Sequence, residues 1–440
     1  MSPRIALLTV GHPDYPMEVG AQLGHHMCEA LVAAGVDIVW DGEAVVDYLG
    51  AAKAAREALR ADPEGIILFL ATWIECSTAL AAIREVEHLP LALWAIPMFE
   101  QDGVRQSTGS FVAACALRPA LIRMGYRPKL LVGFPDDPPT SAAARSFCYA
   151  AHCTERLKRT RLGLVGYSAM SIYPGTFDHV LLRRHIGPEV VHLDTYTLVT
   201  AAERVSGEAI GEVEALLRRT CGIETEEERL RKACRLAVAA SDLAAQHHLH
   251  ALNVKCQYEL SQQYGMTACV PMAVLAGRGI VASCEGDVMV TVSQVMLHYL
   301  SNQVTTYGDI LDLQGPEMLL SACGFAPFSM ADPSRPRAIR ELDYPGFDGI
   351  ICSFALQPGP VTFARLAEGK GDYYLVYGLG QGVHTDLRQG RFPALRVVLE
   401  GEPDRLMEHL PSQHLALCCG HLADELEDAC RILGIRAIRI

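Results

Sequence analysis

Short apolar runs alternate with amphipathic stretches of helical length, and this pattern limits the possible folds of the chain more than any other feature. In the N-terminal third the apolar runs are Ile5–Val10, Val36–Trp40, Gly65–Ala71, Leu89–Ile96 and Lys129–Phe134. Between them lie Met17–Ala34, Ala51–Ala61, Ser77–Glu87 and Ser107–Met124. Short apolar runs separated by helical segments read as strands buried on both faces, and parallel strands need a crossover about as long as a helix. The five runs therefore predict a doubly wound parallel sheet. Gly35 and Gly125 stand where helix C-caps are expected.

A second alternation begins near Arg161. Strands are expected at Leu162–Tyr167, Val190–Leu193, Ala251–Cys256 and Gly279–Cys284, and helices at Thr176–His185, Glu224–His248, Cys269–Ala276 and Val288–Leu300. The acidic run Glu224-Thr225-Glu226-Glu227-Glu228 suits a helix N-terminus. Beyond residue 303 Gly and Pro become frequent and strand-like runs dominate: Gly349–Phe354, Pro360–Leu366, Asp372–Tyr377, Ala394–Leu399 and His414–Cys419. A helix, Leu422–Leu433, and a strand, Ile435–Ile440, close the chain. The expected class is α/β. Two Rossmann-like doubly wound parallel-sheet domains, 1–157 and 158–303, precede a mainly β domain, 304–440.

Composition narrows the function. Half of the 440 residues are hydrophobic and 20% are charged, enough for a large core and too apolar for disorder. Lys and Arg total 38 against 51 Asp and Glu, a formal charge of −13 with no basic run, which argues against nucleic acid or an anionic membrane as partner. No apolar stretch reaches the roughly 18–20 residues of a membrane helix. Met1–Ile5 runs into a strand-like segment without a signal-peptide core. The fifteen cysteines form no CxxC pair, which points to reduced, buried thiols and a cytoplasmic protein.

In open parallel sheets ligands bind beyond the carboxyl ends of the strands. The loops there are Gly11–Pro16, Thr72–Cys76, Pro97–Ser110, Tyr167–Gly175, Gln257–Tyr264 and Glu285–Asp287. No dinucleotide fingerprint follows the first strand, and Gly378-Leu379-Gly380-Gln381-Gly382 reads as a turn. The most informative segment is Ser283-Cys284-Glu285-Gly286-Asp287-Val288, with two acids between an apolar strand and an apolar helix. Carboxylates in such surroundings are costly unless they are paired or bind a cation, although Asp287 equally suits the N-cap of the helix. Glu259 follows the preceding strand and reads either as a second acid at the same sheet edge or as a solvated first-turn residue. His414 opens an apolar strand, as a polar edge residue or as a ligand. Two carboxylates and an imidazole suit Mn²⁺ or Mg²⁺ better than structural zinc. The pairs His25-His26 and His247-His248 read as surface residues on helices.

In this order the segments resemble the L-fucose isomerase and L-arabinose isomerase superfamily, in its shorter, fucose isomerase-like branch. The resemblance rests on Leu252-Asn253-Val254-Lys255-Cys256, Glu259, Tyr264-Gly265 and Gly279–Asp287, then on Cys323-Gly324, Pro358–Leu366 and His414. It implies a metal-dependent aldose–ketose isomerase working through an enediolate. It further implies two α/β domains, a C-terminal β domain and a homo-oligomer with active sites near subunit interfaces. The cofactor implied is Mn²⁺, or another divalent cation such as Mg²⁺ or Co²⁺. Carried over, Asp287 and His414 are metal ligands. The family's earlier glutamate has no counterpart in 265–272, so Glu259, the nearest carboxylate, stands as third ligand and as base. Asp287 is the second catalytic acid, and Glu285 can exchange roles with it. Lys255, Gln257, Arg105 and Tyr173 are the expected substrate-binding residues, joined by Gln106 and Ser107. Lys255 and Arg105 are the cations to test against a sulfonated or otherwise anionic sugar. The alternative function is a non-catalytic sugar-binding or regulatory protein with the same fold; a lyase or epimerase is a third reading.

Overall fold

The computed structural model describes residues 2–386 and 391–440. The chain divides into two compact units, Met1–Glu155 with Asp424–Gly434, and Arg156–Ala423 with Ile435–Ile440.

The first unit is built on the expected five strands: β1 (Arg4–Val10), β2 (Asp37–Asp41), β3 (Gly65–Leu70), β4 (Leu91–Ala95) and β5 (Lys129–Val132). All pairings are parallel, in the order β2-β1-β3-β4-β5. β3 and β4 are buried along their whole length. Alternate residues feed two cores: Leu68 and Leu93 pack with Ala55 and Leu117, while Phe69 and Trp94 pack with Met27 and Phe147. Gly35 and Gly125 adopt left-handed φ of 84° and 91°, as helix ends require. Pro97–Ser110, expected as a loop, instead carries a hairpin of Phe99–Gln101 and Val104–Gln106. Asp102 and Gly103 turn it with φ of 54° and 74°, and an Asp-Gly pair is the residue choice such a turn favours. The helix Ala423–Leu433 supplies Asp428, which accepts Lys129 Nζ and, at 2.6 Å, Ser146 Oγ.

The second unit contains a parallel sheet and a barrel. The sheet comprises β6 (Arg161–Val165), β7 (Glu189–Leu193), β8 (Ala251–Val254) and β9 (Val281–Cys284), in the order β9-β8-β6-β7. The barrel strands are β10 (Thr306–Gln314), β11 (Glu317–Ser321), β12 (Gly359–Gly369), β13 (Asp372–Val383), β14 (Ala394–Leu399) and β15 (His414–Cys419). They run β12-β15-β10-β11-β14-β13, and β12 pairs again with β13, so the antiparallel sheet closes on itself and leaves few free edges. β16 (Arg436–Arg439) adds in parallel to β13. Three short strands, Gly222–Glu224, Ala338–Glu341 and Ile350–Ser353, form a further sheet. The parallel-sheet architecture followed by a mainly β C-terminal region is the one the sequence pattern predicts.

The helix Val288–Ser301 follows β9 and packs against β12 and β15 of the barrel. It is buried nearly all round, as a helix between two sheets must be. Its N-terminus sets the position of the site. The helices Thr195–Glu203 and Gly207–Thr220 and the strands β10 and β11 are not among the elements expected from the sequence. In β10 one Gly and two Asp interrupt the apolar pattern, and both residue types are depleted in strands.

Candidate functional site

The acidic turn between β9 and the helix is a constrained piece of backbone. Glu285 and Gly286 both adopt left-handed φ, 67° and 69°. A Cβ on Gly286 would lie 2.0 Å from the Tyr167 carbonyl oxygen, so only glycine fits there. Asn253 of β8 holds the turn. Its Nδ2 donates to the Asp287 carbonyl at 3.0 Å and to Thr291 Oγ1 at 2.9 Å, and its Oδ1 accepts the Gly286 N–H at 2.8 Å. A non-glycine residue in this conformation costs roughly 1–3 kcal/mol, and such strain collects at working sites.

Asp287 is fully buried and has several partners. Its Oδ1 accepts the Val290 N–H at 2.9 Å as the helix N-cap. Arg365 of β12, itself buried, reaches both carboxylate oxygens from Nη1 at 2.9 and 2.8 Å and donates from Nη2 to the Pro174 carbonyl at 2.7 Å. The third partner is His414 Nδ1, 2.7 Å from Oδ2. Burial alone would raise the Asp287 pKa; the charge of Arg365 and the contact with His414 overcome that and hold it below the ordinary aspartate value.

With Nδ1 of His414 held by Asp287, Nε2 faces the other way. It lies 3.3 Å from Glu285 Oε2 and 3.3 Å from Asp309 Oδ1. Asp309 stands directly opposite His414 in the β10–β15 register, so the barrel itself aligns the two. The Tyr307 ring packs edge-on to the imidazole at 5.2 Å. Burial opposes a charge on His414, but hydrogen bonding to Asp287, Asp309 and Glu285 outweighs it and lifts the pKa well above the ordinary imidazole value. Among the described residues, Glu285, Asp309 and His414 form a group whose donor atoms all lie within 4.8 Å of one another. Together with Asp287, three carboxylates here face one guanidinium and the imidazole they keep protonated, and a divalent cation would take the place of the Nε2 proton. A carboxylate on the second nitrogen of a ligand histidine is the usual way to fix its ring and tautomer.

Glu259 lies outside that group, and Asp287 meets His414 through Nδ1. The member of the acidic turn facing Nε2 is Glu285, the residue the sequence leaves as an exchange for Asp287. Glu259 opens a single π-turn after Tyr258, whose φ is 66°. It pairs with Lys255 and accepts the Tyr167 hydroxyl at 2.8 Å. Lys255 is buried; its Nζ sits 4.3 Å from the Tyr167 ring centre and 5.1 Å from that of Tyr258. The hydrogen bond from Lys255 lowers the Glu259 pKa against the opposing effect of burial.

A cavity of about 220 Å³ opens beside the group, lined among others by Gln257, Thr267, Glu285, Asp309, Cys323 and Phe347. Gln257 Oε1 is buried there without a hydrogen-bond partner. Tyr173 is exposed and lines a separate depression with Glu368 and Lys370. Arg105 is exposed in the hairpin of the first unit, opposite Glu100. Gln106 is the last residue of that strand, and Ser107 Oγ accepts the Gly109 N–H at 3.0 Å. Asp309 is not among the residues the sequence singles out, and Arg365 enters there only as part of the run Pro358–Leu366. An arginine inside the apolar run Val361–Leu366 marks a buried pair, whereas nothing local marks Asp309.

No family model matches the sequence. Among characterised proteins, the sulfoquinovose isomerase of Alkalicoccus urumqiensis is 21% identical over 390 residues, 86% of each chain. Those of Priestia aryabhattai and Priestia megaterium are 20% identical over 441 residues, 98% of each chain. Among solved structures, the glucose-galactose binding protein GanP of Geobacillus stearothermophilus aligns at 12% identity over 69% of this chain and 92% of its own. Its TM-score of 0.18 is too low to indicate a shared fold.

Proposed function

We propose that this protein is a divalent-cation-dependent isomerase that interconverts the aldose and ketose forms of a sulfonated sugar. The observation that carries the reading is the His414 ring, fixed through Nδ1 by Asp287 and presenting Nε2 to Glu285 and Asp309. Near-full-length similarity to proteins named sulfoquinovose isomerase supports the substrate class. Glu285, Asp309 and His414 are the residues that would hold the cation, and two carboxylates with one imidazole suit Mn²⁺. When bound, such a cation supplies Lewis-acid polarisation of the sugar carbonyl and its neighbouring hydroxyl.

The chain's own residues do the rest. Asp287 and Arg365 keep His414 in one orientation, so the ring does not have to reorganise during the reaction. Glu259, kept ionised by Lys255 and Tyr167, is the base. It takes the proton from the carbon beside the carbonyl and returns it to the former carbonyl carbon, while the hydroxyl proton moves in the same sense, from the oxygen on that neighbouring carbon to the former carbonyl oxygen. Gln257 Oε1 offers the cavity an unsatisfied acceptor for a sugar hydroxyl. Lys255 acts on Glu259 in this scheme.

The test is conversion of sulfoquinovose to its ketose, followed by proton NMR in D₂O with Mn²⁺. Deuterium should enter at the carbon beside the carbonyl, and Asp309→Asn and His414→Gln should each lower turnover at least a hundredfold. Full activity after EDTA treatment would remove the cation from the scheme. Binding without turnover across sulfonated and neutral aldoses would leave only the sugar-binding alternative.

A further inference from the structure

Beside the acidic turn lies a knot of thiols that the proposed reaction does not use. Cys284 ends β9 immediately before Glu285, and Cys256 follows the neighbouring strand β8. The two are buried, and Cys284 Sγ donates to Cys256 Sγ across 3.7 Å. Cys269 and Cys323 line the same cavity as Cys256. Met170 and Tyr344, which also line it, are 57% and 44% exposed, so the cavity reaches the surface. A small solute can therefore enter as far as Cys256.

The surroundings of Cys256 differ from those of the chain's other buried thiols. Contact with the Cys269 and Cys284 thiols, a hydrogen bond from the Ala268 backbone and the charge of Lys255 together hold its pKa well below the ordinary thiol value against the effect of burial. By contrast, Cys148 in the first unit is pushed up to about 12 by burial. The thiolate is the form that peroxides oxidise.

We propose that Cys256 and Cys284 are an oxidisable pair, modified by hydrogen peroxide entering the cavity, and that their disulfide disables the acidic turn. The second half rests on the reading of that turn as part of a cation site. The Cys256 thiolate attacks one peroxide oxygen and breaks the O–O bond, giving a sulfenic acid and hydroxide. The Cys284 sulfur then displaces hydroxide from the sulfenic acid and loses its proton, giving the disulfide and water. Both electrons come from the two sulfurs; the peroxide leaves as one water and one hydroxide, and the hydroxide takes up the proton that Cys256 released on ionising, making the second water. The sulfurs must approach from 3.7 Å to about 2.05 Å, and Cys284 adjoins Glu285, whose left-handed backbone has little room to follow.

The experiment treats the full-length reduced protein with hydrogen peroxide, blocks the remaining thiols and maps the peptides. Expected is a cross-linked peptide joining Cys256 to Cys284, two hydrogens lighter than the reduced pair. Affinity for Mn²⁺, measured by titration calorimetry, should fall at least tenfold and return with dithiothreitol. Cys256→Ser should give neither the cross-link nor the peroxide-dependent loss, while Cys115→Ser, at an exposed thiol, should give both. Oxidation of Cys115 without any Cys256–Cys284 peptide would overturn the proposal. So would a cross-linked protein that binds Mn²⁺ as tightly as the reduced one. If the reduced protein binds no Mn²⁺, the cation reading fails, and the cross-linked peptide alone decides the pair.

Discussion

At the scale of single residues, Arg365 and Lys255 are buried cations that serve carboxylates. Arg365 neutralises Asp287, which neutralisation by solvent cannot reach. Removing one member of a buried pair leaves an uncompensated charge, at a cost of about 3–5 kcal/mol. Arg365→Met should therefore lower the unfolding free energy by about that amount, read from urea denaturation. A change within error would mean that His414 and the helix N-terminus already satisfy Asp287. Lys255 has a different effect, on acidity. Its hydrogen bond lowers the Glu259 pKa, and the base works in its ionised form, so the acid limb of kcat/KM should lie below the ordinary glutamate range. In Lys255→Met the largest of the effects that lower the Glu259 pKa is gone, and the limb should move to higher pH. An unmoved limb would separate Lys255 from the base. At this scale the sequence is readable wherever a charge interrupts an apolar run, as in Glu285-Gly286-Asp287 and at Arg365. Asp309 is invisible, because an acid in an alternating strand normally faces water; it joins the site through its register with His414, which no local pattern encodes.

At the scale of elements, the site depends on how β9 passes into its helix. The apolar character of both was legible, and so was the acid-rich turn between them. The left-handed pair Glu285-Gly286 was not, since it is imposed by the Tyr167 backbone from the loop after β6. Two glycines separate backbone strain from steric contact. Gly103 has φ of 74° and open space around it, so Gly103→Ala meets only the conformational cost, about 1–2 kcal/mol. Gly286→Ala adds a Cβ 2.0 Å from a backbone oxygen. Its loss of stability in denaturant unfolding should exceed that of Gly103→Ala, and turnover should fall at least tenfold because Glu285 has to shift. Equal losses in the two variants would show that the turn relaxes freely. The Asp102-Gly103 hairpin carried a readable turn signal, but its three-residue strands are too short for a periodic pattern.

At the scale of the whole molecule, alternating strands and helices are enough to announce parallel sheets, while the partner of a late element is not announced. The helix Ala423–Leu433 has an evident apolar face, yet its periodicity cannot say that Asp428 will meet Lys129 and Ser146 of the first unit. This division of the chain gives the cation a thermodynamic signature. Glu285, Asp309 and His414 all lie in the second unit. A ligand that binds only the folded state stabilises it by about 2.7 kcal/mol at a hundred times its Kd. In scanning calorimetry, saturating Mn²⁺ should raise the unfolding transition that includes the second unit, by an increment that grows with Mn²⁺ concentration. Asp309→Asn removes one carboxylate donor and should lose most of that increment without lowering the cation-free midpoint, because the cluster of negative charge is relieved at the same time. Arg365→Met behaves in the opposite way, lowering the cation-free midpoint while all three donor atoms remain. The two variants together thus distinguish a cation centre from a buried ion-pair network. If both lower the cation-free midpoint and neither changes the response to Mn²⁺, the cluster is structural and the isomerase reading loses its support.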